Sequence, residues 1–228
     1  MVNLDALNEQ FRRLLQRTDT DFVRSSMELI PWDARLIGIK GARGVGKTTL
    51  MLQRIQLNLK EEIFTTLYVS LDSLMFSGST IWDLANEFVG RGGKYLFLDE
   101  VHKYDNWAQE LKNVYDHFPE LKVVFTSSSL LEILSSRADL SRRAVVFEMQ
   151  GLSLREFIQL ESGVSFPILT LKQIIEQHES IASEITKEIK PLLYTDLQHI
   201  KPNKTLHKIL KEIRFIYMLH IRFNANIH

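Results

Sequence analysis

The segment Gly41-Ala42-Arg43-Gly44-Val45-Gly46-Lys47-Thr48 fits the spacing G-x-x-x-x-G-K-[ST] at each fixed position. Glycines at this spacing let the backbone turn so that its N–H groups converge on phosphate oxygens. A helix opening at the end of the loop adds positive potential there. Lys47 supplies a point charge to the outer phosphates, and the Thr48 hydroxyl is a ligand for Mg2+. The whole stretch from Gly41 to Thr48, with Thr49 after it, is therefore read as phosphate-binding. The plainer reading is a glycine turn with a surface lysine.

Further along, Tyr95-Leu96-Phe97-Leu98 runs into Asp99 and Glu100. Four large apolar residues followed by two acids place the acids at the C-terminal end of a buried strand, where ligands bind in open α/β sheets. Asp99 is expected to hold Mg2+, directly or through water. Glu100, one step on, is expected to polarise a water aimed at the γ-phosphate. A third apolar run, Val123-Val124-Phe125, ends in Thr126-Ser127-Ser128-Ser129. Thr126 or Ser127, nearest the strand end, is the expected sensor of the γ-phosphate; the alternative is that these hydroxyls only cap the next helix.

Short apolar runs must position these groups. Leu36–Ile39, Thr65–Leu71, Tyr95–Leu98, Leu121–Phe125 and Ala144–Phe147 are continuous and mostly β-branched or aromatic. They predict strands buried on both faces. Helical patterns near 47–61, 79–90, 106–117 and 129–136 alternate with them, which predicts a parallel sheet with helices on both sides. Leu4, Leu7, Phe11, Leu14 and Leu15 share one helical face before the first strand. After Ser153 the strand pattern stops, and 154–160, 169–189 and 205–221 read as helices. The expected organisation is an N-terminal helical segment at 1–30, an α/β core at 31–152 and a helical region at 153–228.

Composition excludes several classes. Of the 228 residues, 45% are hydrophobic and 25% charged, with ten glycines and five prolines, so collagen-like and low-complexity chains are ruled out. The absence of cysteine excludes disulfides, thiolate zinc sites, iron–sulfur clusters and a cysteine nucleophile. With 28 basic and 28 acidic residues the chain as a whole is no obvious polyanion binder. The balance is uneven, however: residues 187–228 carry eight Lys/Arg against three Asp/Glu. No apolar run approaches the ~18 residues of a membrane span, and the first residues lack the apolar stretch of a secretory signal. A soluble cytoplasmic protein is expected.

Three stretches carry a resemblance: GARGVGKTTL, YLFLDEVHKYDNWAQELKNVYD and DLSRRAVVFEMQGLSLREF. They resemble the AAA+ superfamily of P-loop ATPases over residues 10–165. The chain looks most like a prokaryotic branch of ATPases in which an AAA domain precedes an uncharacterised domain. The resemblance implies a three-layer P-loop NTPase fold with a parallel five-stranded sheet ordered 5-1-4-3-2. It implies ATP and Mg2+, with Lys47 and Thr48 in Walker A, Asp99 and Glu100 in Walker B, and Thr126 or Ser127 at sensor 1. It also implies that Arg142 or Arg143, with Arg137 a weaker candidate, reaches a neighbouring subunit's γ-phosphate. That role requires a homo-oligomer; the alternatives are solvated charges or a contact to a C-terminal domain. Such relatives continue into a second domain, so this chain is expected to be a truncated product.

The remaining features read more plainly. His102 is expected to be a loop histidine bonded to Glu100 or a carbonyl, and Trp107 and Leu111 to pack in the core. Ser70 and Asp72, ending the second strand, are candidates for restraining Glu100. The basic stretch from Lys201 to Arg222 is read as a solvated helix face in preference to a nucleic-acid or membrane surface. The leading function is Mg2+-dependent ATP binding and hydrolysis coupled to an appended domain or protein partner. The alternatives are a low-turnover nucleotide switch, a DNA-associated module in defence or signalling, and an inactive remnant.

Overall fold

Five strands make one sheet in the order β2-β3-β4-β1-β5, every pairing parallel. The strands are β1 (Leu36–Lys40), β2 (Thr66–Ser70), β3 (Tyr95–Asp99), β4 (Lys122–Ser127) and β5 (Val145–Glu148). This is the expected order. The computed structural model describes residues 2–76, 78–128, 140 and 142–199. The helical patterns at 129–136 and 205–221, and Arg137, lie outside the described residues. The chain divides into two compact units between Gln150 and Gly151.

In the first unit, α1 (Leu4–Gln16) starts at Asn3, whose side chain accepts from the Ala6 N–H at 3.0 Å. Its apolar face is buried through Leu4, Leu7 and Phe11, as the spacing predicts. A four-residue turn, α2, spans Ser26–Leu29. Three longer helices fill the crossovers: α3 (Lys47–Asn58) after β1, α4 (Ile81–Gly90) after β2 and α5 (Trp107–His117) after β3. Trp107 and Leu111 are buried in the core, and the Trp107 ring lies 5.6 Å from that of Phe125.

The expectation of strands buried on both faces holds for β1 to β4 and fails for β5. Val145 and Val146 are 44% and 42% exposed. Both β2 and β5 are edge strands, each paired on one side only. Helix α1 packs against β2, and there Phe11 stacks on Tyr68 with ring centroids 6.4 Å apart.

Because all strands run the same way, their C-terminal ends meet at one edge of the sheet. The register sets Lys40 beside Ser127, Ile39 beside Thr126, and Ser70 beside Asp99. The polar residues that end each apolar run are thereby gathered.

The second unit contains α6 (Leu154–Ser162) and α7 (Leu171–His199). Ser153 and Glu156 form a capping box at the start of α6, and Gly163 ends it with φ 75°. Among the described residues no helix is long and apolar enough to cross a membrane.

Candidate functional site

Between β1 and α3 the chain makes its loop from Gly41 to Gly46. Gly46 has φ 96°, a left-handed value that a side chain resists, and it caps α3. Gly41 is required for a different reason: a Cβ there would stand 2.4 Å from the Met149 carbonyl oxygen. Arg43 and Thr49 are exposed.

Lys47 opens α3 and is only 5% exposed. Its Nζ curls back to donate to the carbonyls of Gly41 at 2.9 Å and Ala42 at 3.0 Å. Burial holds its pKa below the ordinary lysine range, while the charges of Glu100 and Asp99 pull the other way. The ammonium group is thus set against the backbone carbonyls of the loop.

Asp99, buried at the end of β3, joins three strands and a helix. Its Oδ2 accepts from the Thr48 hydroxyl at 2.6 Å and from the Tyr68 phenol at 2.7 Å. Its Oδ1 accepts from the Thr126 hydroxyl, and the Thr126 oxygen in turn accepts from the Glu100 N–H at 3.0 Å. Thr126 therefore touches both acids. Ser127, also buried, meets the loop through its carbonyl, which accepts from the Gly41 N–H at 3.3 Å. Thr48 and Asp99 offer hard oxygen donors beside the glycine-rich loop. Mg2+ is held by such a set when phosphates and waters complete its octahedron. The hydroxyl and carboxylate oxygens, 2.6 Å apart, fit that ion.

Glu100 adopts φ 57° and ψ 41°, uncommon for a residue with a side chain. Its Oε2 lies 3.3 Å from His102 Nε2, which is 2.8 Å from the Ser128 hydroxyl. His102 thus bonds Glu100, one of the two partners expected for it. Ser70 stands beside Asp99 in the register, not beside Glu100.

Arg143 makes a bidentate pair with Asp116 at the end of α5, Nε to Oδ1 at 2.8 Å and Nη2 to Oδ2 at 2.9 Å. That pair holds the Asp116 carboxyl below the usual range. Arg142 is exposed.

Three residues of the site escape sequence reasoning. Tyr68 reaches Asp99 from another strand. Arg24 donates to the Val45 carbonyl at 2.7 Å and the Gln150 carbonyl at 3.0 Å. Gln53 on α3 donates to the carbonyls of Asp19 and Phe22, both at 2.8 Å. A signal existed only for Tyr68: a tyrosine inside a buried strand needs a partner for its hydroxyl.

None of the curated proteins matches the sequence. Among solved structures the chain is similar to S. cerevisiae Hsp104 in its casein complex, with 21% identity over 70% of this chain and 33% of that one, and a TM-score of 0.46. It is also similar to a DNA replication initiation factor, at 16% identity over 97% of this chain and 70% of that one, with a TM-score of 0.42. AMPPCP-bound DnaA from Aquifex aeolicus gives 16% identity over the same shares and a TM-score of 0.40. The chain spans about a third of the length of the Hsp104 chain it matches. Residues 33–158 match the family described as AAA domain. That stretch is more than half of the 228 residues and holds the loop, Lys47, both acids and Thr126; the chain belongs to the AAA domain family.

Proposed function

We propose that the chain binds ATP with Mg2+ and hydrolyses it. The observation that carries this reading is the hydrogen-bonded line from Thr48 through Asp99 and Thr126 to the Glu100 amide, beside the buried Lys47. The loop amides and Lys47 bind the β- and γ-phosphates, Lys47 exchanging its two carbonyl partners for phosphate oxygens. Thr48 and Asp99 would hold Mg2+, which when bound would supply Lewis-acid neutralisation of charge on the phosphates. Glu100 takes the proton of the attacking water as its oxygen bonds to the γ-phosphorus and the bond to the leaving β-phosphate oxygen breaks. Thr126 keeps Glu100 in register with Asp99. Residues 31–152 are the ATPase core, and 153–228 a helical region through which nucleotide state couples to an appended domain or partner. Of the two arginines, Arg142 is the better candidate to act on a neighbouring subunit, because Arg143 already pairs with Asp116.

Lys47→Ala tests the reading directly. Hydrogen bonds to charged groups contribute ~1.5–3 kcal/mol, so Mg·ATP affinity should fall about 10- to 100-fold with the circular dichroism spectrum unchanged. A folded Lys47→Ala chain that binds Mg·ATP as the wild type does sinks the nucleotide reading.

A second reading, a nucleotide switch of low turnover, draws on the Glu100–His102 contact, which occupies one oxygen of the carboxylate. Comparing single-turnover with steady-state hydrolysis separates the two. Fast chemistry with repeated turnover supports the ATPase, and tight retention with little chemistry supports the switch.

A further inference from the structure

We propose that Tyr68 is a positioning residue for the Mg2+ site, its phenol fixing the Asp99 carboxylate in the orientation that Thr48 needs. The inference rests on the ATPase reading above and deepens it.

The phenol is 5% exposed and donates to Asp99 Oδ2 at 2.7 Å, the same oxygen that takes the Thr48 hydroxyl at 2.6 Å. An ionised carboxylate has about four acceptor positions. Here hydroxyls from Thr48, Tyr68 and Thr126 fill three of them. Turning the carboxylate about its bond breaks at least two of these contacts. When the Thr48 oxygen faces a metal ion, its hydrogen must still find Oδ2, and of the three donors Tyr68 holds that same oxygen from the far side of the site.

The sheet explains why a residue so far back along β2 can reach. Ser70 stands beside Asp99 in the register. Tyr68, two residues earlier, presents its side chain to the same face, and the length of a tyrosine spans the offset. The ring is not free to swing, because Phe11 of α1 stacks on it with planes 29° apart. A phenylalanine at 68 would keep the ring and nearly fill the same core volume, so packing alone does not call for the hydroxyl.

Outer contacts of this kind typically change metal affinity by about 10- to 100-fold. The test uses the full chain and a fluorescent, non-hydrolysable ATP analogue, bound first in EDTA and then across a Mg2+ titration. Tyr68→Phe keeps the ring and its stack on Phe11. Its affinity for the metal-free analogue should stay within about two-fold of wild type, while the Mg2+ midpoint rises about ten-fold. A hydroxyl serving only to satisfy the fold would lower the thermal midpoint of the nucleotide-free chain and leave the Mg2+ midpoint where it is; that result overturns the proposal. Should Tyr68→Phe fail to fold, Phe11→Leu loosens the ring and spares the phenol. A raised Mg2+ midpoint in that variant supports the proposal and an unmoved one overturns it. Failure of the ATPase reading is seen separately, as a wild-type chain that binds no analogue at any Mg2+ concentration, and it removes both.

Discussion

Glu100 and Asp99 are adjacent in sequence and opposite in circumstance. Asp99 is buried and holds three hydroxyls, whereas Glu100 is partly exposed, left-handed at φ 57° and in contact with a histidine. The left-handed turn at Glu100 gives the two neighbouring carboxylates different partners, and the proposed roles assign the cation to one and the attacking water to the other. Glu100→Gln should therefore leave ATP binding intact and slow hydrolysis by about 10²- to 10⁴-fold, the usual range for a lost general base. Equilibrium binding and phosphate release on the same preparation check this; an unchanged release rate removes Glu100 from the role of base. At this scale the sequence placed Lys47 and Thr48 at a helix start and Asp99 and Glu100 at a strand end, and the structure has them there, because a spaced-glycine motif and an apolar run are local signals. It was silent on Arg24, whose carbonyl partners lie 21 and 126 residues away and are backbone groups of any residue type.

Elements show where local pattern suffices. TLYVS and VVFE are both apolar, both became edge strands, and yet β2 is buried while β5 carries exposed valines. The difference is α1, which covers β2 through Phe11; nothing within either strand encodes its cover. The run from β1 through the loop to α3 was legible because each part has its own signal: an apolar stretch, spaced glycines and a helix start. Its tightest point was not. Gly41 lies against the Met149 carbonyl, more than a hundred residues on. Gly41→Ala must push that carbonyl and the end of β5 away. Overpacking of this sort costs ~1–3 kcal/mol, or roughly 2–10 °C in thermal midpoint for a chain of this size. Differential scanning calorimetry would show the drop, and an unshifted midpoint would mean that the β5 end yields freely.

For the whole molecule, the question is whether one chain completes a site. If Arg142 acts on a neighbour's nucleotide, hydrolysis per chain should rise with protein concentration. Mixing Arg142→Ala chains with Lys47→Ala chains should then restore activity that neither has alone, since each brings the group that the other lacks. Activity strictly proportional to concentration, with no gain on mixing, assigns Arg142 to the solvated surface instead. The alternation of apolar runs and helical patterns anticipated the parallel sheet, while its order was implied only by the resemblance and could not be read from the residues. What the second unit does was not legible, since capping signals such as Ser153 and Glu156 set a helix start and carry no information about purpose.

Arg24 has a mechanical consequence. One guanidinium grips the Val45 carbonyl at the turn of the loop and the Gln150 carbonyl, the last residue before the chain divides into its second unit. Gly41 and Met149 touch on the same seam, and Met149 N–H donates to the Lys40 carbonyl at 2.8 Å. The loop and the outgoing chain are thus tethered as one body. A shift of the loop backbone at Val45 must either snap the tether or drag residue 150 with it, so the loop cannot move without loading the end of the first unit.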